Sequence, residues 1–358
     1  MSVQTKDMLD MLEATRVHTN KMSFVDISTD LQEFIVQPYM LTQKGGMKVI
    51  GGGVGISQAL MVENGGYSEW VDEFSESTGS IIDHLKTMKV DFCLLHDSVS
   101  YTKGELIDNK GEDRIQNVIL PRTRSMWLRV AQTMERDFFG TPSATDDLTP
   151  WGLKYWIVKN ATTGFNGGYP SGFTTIGNIN LTQVPNFKNH TMQYTAVSKA
   201  DLITAMRKSH RATNWKSPRT DSGVTGDAMP NRRLILTCED VLEAMENIGE
   251  AQNENLGRDL SPFTAGQNGP MGLMRTGNGD LLFKKNPIIH ARYLDSDTSD
   301  PVYGLDMSTF YAMTKKGDNM NLGEYEKHPT QHRVYTADLF HRHQTLCVNR
   351  RNNWVISK

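Results

Sequence analysis

The residues most able to do chemistry in this 358-residue chain fall into three groups, and each lacks a part that its chemistry requires. Lys48-Val-Ile-Gly-Gly-Gly-Val-Gly55 sets glycines behind a short strand, as dinucleotide sites do so that backbone can approach a pyrophosphate at a helix N-terminus. Gly51 and Gly53 would need a third glycine at position 56, which is Ile56, and the stretch before Asn64-Gly-Gly66 is too short for the helix. His328, His332, His341, His343 and Cys347 are the densest set of metal-ligand types, with His341, His343 and Cys347 on one face if the segment is extended. Arg333, Arg342, Arg350 and Arg351 crowd that region with positive charge and the spacing fits no zinc signature, so solvated or interface-paired histidines are expected. Asp146-Asp147 and Glu239-Asp240 read as loop charge and helix capping. With no nucleophile elbow, phosphate loop or His-Glu-x-x-His motif, neither catalysis, a cofactor nor a metal is expected.

Composition bounds the remaining possibilities. A net charge of -3 argues against tight sequence-independent nucleic-acid binding, which needs clustered Lys and Arg. Cys93, Cys238 and Cys347 lie too far apart in sequence to suggest a disulfide framework. Charged residues among Met1 to Asp30 exclude a signal peptide from the reading, and no apolar run reaches the roughly 18 residues of a membrane span. Modest hydrophobic content with 30 glycines fits an extended, multi-lobed subunit.

The strongest positional signal is an amphipathic helix from Arg122 to Phe139, with Trp127, Val130, Ala131, Met134 and Phe138 at the 3.6-residue period and Arg129, Gln132, Glu135 and Arg136 mostly elsewhere. Gly140-Thr-Pro, an acidic loop and the aromatic run Trp151 to Val158, read as a strand, follow it. Upstream, Lys48 to Val62 and Thr87 to Leu95 could pair as a long hairpin around Trp70, Glu73, Phe74, Glu76 and Asp83. Such a hairpin is only marginally stable without a partner surface. Gly164 to Phe173 and Ile176 to Val184 suggest a β-rich surface insertion. Ser198-Lys-Ala-Asp201 and Thr237-Cys-Glu-Asp240 resemble capping boxes, the second following strand Leu234 to Leu236 and opening a helix to about Gln252. A glycine-rich loop is expected at Ser261 to Gly279, and two strands, Val334 to Leu339 and Thr345 to Ile356, close the chain.

This order of pieces resembles tailed-bacteriophage major capsid proteins with the Hong Kong 97 fold, an α+β architecture. The resemblance implies an N-terminal arm at 1–44, an extended hairpin loop at 45–92, and a peripheral domain at 93–160 with a spine helix at about 122–139. It further implies a β-rich insertion at 161–196, an axial α/β domain at 197–330 and C-terminal strands at 331–358 returning to the peripheral domain. It implies a non-enzymatic head protein that self-assembles into hexamers and pentamers around double-stranded DNA, which it contacts weakly and without sequence specificity. Partners would be a separate scaffolding protein, a portal and decoration proteins, but no membrane; the place would be the virion, after synthesis in the bacterial cytoplasm. Lys48, Trp70, Glu73, Phe74, Glu76, Arg122, Arg124, Arg129 and Arg136 are the candidate subunit-interface residues, the arginines facing carboxylates of a neighbour's loop. An encapsulin-like shell or a cytoplasmic α/β enzyme are the alternatives.

Overall fold

The computed structural model describes residues 34–35, 47–62, 70–74, 84–108, 119–214, 233–254, 273–275, 281–284 and 286–358. The first half runs β1 (Met47–Ile50), β2 (Gly55–Met61), β3 (Leu85–Asp91), β4 (Cys93–Thr102), α1 (Lys103–Asp108), α2 (Ile119–Phe139), α3 (Leu153–Trp156), β5 (His190–Gln193) and α4 (Leu202–Thr213). The second continues with β6 (Arg233–Thr237), α5 (Glu239–Glu254), β7 (Leu273–Arg275), β8 (Leu281–Phe283), β9 (Asn286–His290), β10 (Val302–Asp306), β11 (Phe310–Lys315), β12 (Asn321–Leu322), β13 (Glu326–Lys327), β14 (Val334–Cys347) and β15 (Trp354–Ser357).

Two mixed sheets and a hairpin organise these pieces. A central sheet has the order β5-β15-β10-β6-β9-β8-β7, and its middle strands β10 and β15 are buried along their whole length. A second sheet is built on β14, which takes β4 along one edge and β11, β12 and β13 in succession along the other, with β1 parallel to β11. The hairpin β2–β3 stands as its own two-stranded sheet, in register from Gly55↔Asp91 to Met61↔Leu85. Met126, Val130 and Met134 of α2 pack on Val99, Ala337 and Leu339 of β4 and β14 in a small core, separate from the main one around the central sheet.

Helix α2 begins three residues before the expected start, since Pro121 sits in the first turn, where its missing N–H has no helical partner to lose. Its buried stripe runs through Met126, Val130, Met134, Phe138 and Phe139; Trp127 and Ala131 are only partly buried, and Glu135 is buried rather than solvated. At its end the backbone of Gly152 presses on the last turn, where a Cβ would stand 2.1 Å from the Phe138 carbonyl oxygen. Only glycine permits that approach.

Several expectations are corrected. Trp151 to Val158 is not a strand: Leu153–Trp156 forms one helical turn, because Trp151 stacks on Tyr155 at 4.2 Å and Tyr155 meets Trp156 edge-on at 5.0 Å. The stretch 161–189 carries isolated bridges and no strand, and Ile176, Ile179, Leu181 and Val184 are buried in the main core rather than on a protruding insertion. Val334 to Cys347 is one 14-residue strand through the histidines, not two runs, and Trp354–Ser357 belongs to the other sheet. Lys48 to Val62 is likewise divided: Met47–Ile50 joins β11, and only Gly55–Met61 enters the hairpin. Ser198 Oγ accepts the Asp201 N–H at 3.2 Å as expected, but that bond closes a turn and the helix starts at Leu202. At the second box Thr237 Oγ1 is buried without a partner, and the Glu239 N–H donates instead to Asp295 Oδ1 at 3.0 Å. The glycine-rich loop, apart from Leu273–Arg275, and nearly all of the N-terminal arm lie outside the described residues.

Candidate subunit interface

The hairpin changes character along its length. Ile56, Met88 and Val90 are buried in the main core and Lys89 N–H donates to Gly177 O at 3.0 Å, while just past the far end of β2 Asn186 Nδ2 donates to Val62 O at 3.3 Å. Gly177 sits at φ +55°, and a Cβ there would lie 2.6 Å from Met88 Cγ, so the attachment point demands glycine. At the end of the ladder Leu60 and Val62 pack partly on the main core, whereas Met61 is 67% and Leu85 60% exposed, and in the segment between the strands Phe74 is 93% exposed and Trp70 fully exposed. Asp72 and Glu73 lie between these aromatics, with the Glu73 N–H held by Asp72 Oδ1 at 2.8 Å. Trp70 and Phe74 thus sit as bare aromatics in the segment that joins β2 to β3. Glu76 lies outside the described residues.

The spine helix carries the candidate arginines, and within one chain most are already paired. Arg122 makes a two-pronged contact with Glu105, Nη1 to Oε2 at 3.0 Å and Nη2 to Oε1 at 2.8 Å. Burial alone would raise the Glu105 carboxyl, but bonds from Arg122 and Thr102 outweigh it and hold that group below the usual carboxylate range. Thr102 and Glu105 also close a reciprocal cap on α1: the Thr102 N–H donates to Glu105 Oε2 at 2.9 Å, and the Glu105 N–H to Thr102 Oγ1 at 3.2 Å. The Thr-Lys-Gly-Glu spacing carries that signature in the sequence. Arg129 grips Asp97 with Nη2 to Oδ1 at 2.7 Å and Nε to Oδ2 at 3.1 Å, and Arg136 Nε reaches Asp137 Oδ1 at 2.9 Å. Arg124 is exposed, as is Lys48, whose Nζ stands 3.8 Å above the Tyr311 ring.

Between α2 and β4 runs an open groove of about 540 Å³, floored by Val130 and Leu95 and rimmed by His96, Asp97, Arg129, Gln132, Arg136 and Tyr293. On the other side of the helix the buried Glu135 accepts the backbone N–H of Ile35 at 3.0 Å, and Ile35 is itself in the core. A residue of the N-terminal segment is thereby tied to the spine.

The histidines at 341 and 343 are neither solvated nor paired at a surface. Their rings stack at 4.8 Å inside the sheet, His341 Nδ1 accepts the Met320 N–H at 3.3 Å, and His341 Nε2 and His343 Nδ1 have no partner. Burial lowers their pKa values to about 4 and about 3 respectively. Among the described residues the one trio able to share a metal ion is Glu239, His290 and Asp295, which sequence spacing did not indicate. Its donor atoms are engaged internally, with Asp295 bonding His290 Nε2 at 2.9 Å as well as capping α5. No helix among the described residues is long and apolar enough to cross a membrane.

No protein-family model matches the chain, and neither does any curated protein. Solved structures do. The cyanophage A-1(L) capsid asymmetric unit is 12% identical, with 96% of this chain and 98% of that one covered at a TM-score of 0.60. The capsid of the native GTA particle is 11% identical over 95% of each chain at 0.55. The capsid of Myoviridae phage XM1 is 10% identical over 94% and 96% at 0.51. At such identities the likeness is one of fold: the chain has the α+β capsid fold.

Proposed function

We propose that this chain is a major capsid protein, the structural subunit of an icosahedral tailed-phage head enclosing double-stranded DNA, and that it works by self-assembly into hexamers and pentamers. The observation that carries the reading is a likeness in fold to phage capsid subunits that spans nearly the full length of both chains. The hairpin supports it independently, since Ile56, Met88 and Val90 fix it in the core while Trp70 and Phe74 are exposed among the described residues. A second copy supplies the missing surface, and many weak copies of one contact close a shell.

In this reading 45–92 is the loop laid on the neighbour, 93–160 with the spine helix and 331–358 form the peripheral domain, and 197–330 closes the ring at its centre. The stretch 161–196 is then part of the packed body, and residues before 45 act as an arm held at Glu135. The tip carries Asp72 and Glu73, and the groove beside α2 carries Arg129 and Arg136, whose single-chain partners Asp97 and Asp137 the tip carboxylates could replace. Arg122 serves its own chain through Glu105, and Arg129 and Arg136 would meet a neighbour by exchanging Asp97 and Asp137 for its carboxylates. A separate scaffolding protein, a portal and decoration proteins complete the head, and synthesis takes place in the host cytoplasm. The fold neighbours are phage capsids and favour neither the encapsulin-like shell nor the enzyme.

Negative-stain microscopy with light scattering on the purified chain at rising concentration tests this. Shells, tubes or discrete hexamers and pentamers are expected. A monodisperse dimer or tetramer under every condition, even with scaffold supplied, would overturn it.

A further inference from the structure

In a chain that is acidic overall, one end of the central sheet collects cations from three separate segments. Arg211 lies in the last turn of α4, Arg233 opens β6, and Lys284 follows β8. Burial lowers the Lys284 ammonium pKa first, and the charges of Arg211, Arg207 and Arg233 lower it further, so these groups lie within one another's field. His210 completes the group: its Nε2 is 3.4 Å from Asn286 Nδ2, its ring meets Phe283 at 6.1 Å, and burial followed by Arg233 and Lys284 takes it down to about 4. Asp306, opposite Arg233 in the β6–β10 ladder, is the acid that faces this side, and its Oδ1 is already engaged by Ser308.

Two details go beyond ordinary surface charge. Arg233 Nη2 donates to Thr213 O at 2.9 Å, yet its Nε and Nη1 are buried with no hydrogen-bond partner among the described residues. Buried N–H groups of a cation are seldom left unmet, because each costs on the order of 1–3 kcal/mol. Lys284 adopts φ +49°, a left-handed turn that favours Gly or Asn, so a lysine is kept there against its backbone preference. A helix dipole accounts for Arg211 but for neither of these.

We propose that Arg211, Arg233 and Lys284 form a binding site for a phosphate-class anion, the acceptor-rich group that would answer the unmet Arg233 N–H groups and the Arg211 and Lys284 charges, which have no ion pair among the described residues. The same chemistry comes from a nucleic-acid backbone or from free phosphate, and the site stands whether or not the chain builds a shell.

The test titrates the full chain with two probes: inorganic phosphate, read as a rise in Tm, and a labelled duplex oligonucleotide, read by anisotropy between low and moderate salt. Binding of at least one probe is expected, weakened about tenfold by the pair Arg211→Glu with Lys284→Glu, and for duplex with a salt dependence shallower by about two. Lys284→Gly relieves the left-handed turn and should weaken binding without lowering Tm, which a merely structural lysine would not do. Phosphate alone raising Tm identifies a small anion, and duplex alone binding identifies nucleic acid. Failure of the wild-type chain to bind either probe, or variants that bind as wild type does, would overturn the site. Shell formation is scored on the same preparations, so a chain that assembles but takes no anion defeats this inference and leaves the capsid reading intact.

Discussion

The β2–β3 hairpin and the strand pair β10–β15 are built from similar short runs, yet one is half bare and the other wholly enclosed. In β10 every residue from Val302 to Asp306 is buried, and Gly304 lets Trp354 of β15 lie where a Cβ would come within 2.0 Å of the indole. In β2 and β3 only Ile56, Met88 and Val90 are buried. The difference teaches where the stability of the single chain resides and which surface is reserved for something else. Substitutions in the enclosed region should unfold the chain, whereas those at the hairpin tip should leave it folded and change what it binds.

The largest effect is expected at Arg350, the fully buried cation that ties the C-terminal segment to the main core. Its guanidinium donates to Trp156 O, to Phe187 O at 3.2 Å, to Gly168 O at 3.2 Å and to Asn189 Oδ1 at 2.9 Å, with no carboxylate among its partners. Arg350→Met strands three carbonyls and an amide in the core and should cost roughly 3–5 kcal/mol in urea unfolding. A midpoint unchanged from wild type would mean that the enclosed region is not the stable one.

Acid should act next, through His341 and His343. Both are held neutral by burial, with pKa values of about 4 and about 3 against an ordinary value near 6.5. Above that ordinary value neither state takes up a proton, so the rings have no effect on stability. As pH falls below it the unfolded chain binds protons first, and each ring then costs about 1.4 kcal/mol per pH unit until its own folded pKa is reached. Near pH 5 that is roughly 2 kcal/mol per ring, and the slope should flatten in His343→Gln. An equal slope in that variant would place the acid sensitivity elsewhere.

The sequence periodicity located α2 to within three residues, because a solvated helix on a sheet must repeat its apolar face every 3.6 residues, and Val130, Met134 and Phe138 do. It misplaced the edge of that face at Trp127 because the small core is filled by Met126, a choice made by Val99 and Leu339 from distant strands. His-Arg-His reads as polar and so suggests a break within strand β14, whereas a ladder with β4 from Val334↔Thr102 to His343↔Cys93 carries it straight through. The α5 cap was invisible for a similar reason, since its acceptor, Asp295, lies 56 residues away in sequence. The exposure of Trp70 and Phe74 was legible because they sit in a polar, glycine-flanked stretch. The internal pairing of Arg122 and Arg129 was not, because Glu105 and Asp97 come from elements whose placement only the fold decides.

A smaller loss is expected where the two regions meet. Gly177→Ala forces a left-handed backbone on alanine and sets its Cβ 2.6 Å from Met88 Cγ, beside the bond from Lys89 N–H to Gly177 O. The cost should be on the order of 1–2 kcal/mol, concentrated at the hairpin base. Hydrogen exchange should show faster opening of β2 and β3 with the central sheet unaffected. Equal loosening of both would merge the two regions into one cooperative unit and remove the contrast.

The smallest effect on the folded chain, and the sharpest on the contrast, belongs to the hairpin tip. Trp70→Ala and Phe74→Ala remove side chains that are exposed among the described residues, so the unfolding free energy of the unassembled protein should stay within about 0.5 kcal/mol of wild type. If these rings fill a neighbour's surface, each truncation removes an interface anchor worth about 2 kcal/mol or more, which raises the concentration needed for assembly about thirtyfold. The two readings separate cleanly. A fall in Tm with the truncation would mean that the tip packs on its own chain, and unchanged Tm with unchanged assembly would move the subunit contact away from the hairpin. Reversing Glu73 to Lys adds a charge test: repulsion from Arg129 and Arg136 should slow assembly most at low salt, and the effect should fade as salt screens it. Loss of assembly at every salt concentration would point to shape and not charge as the basis of the contact.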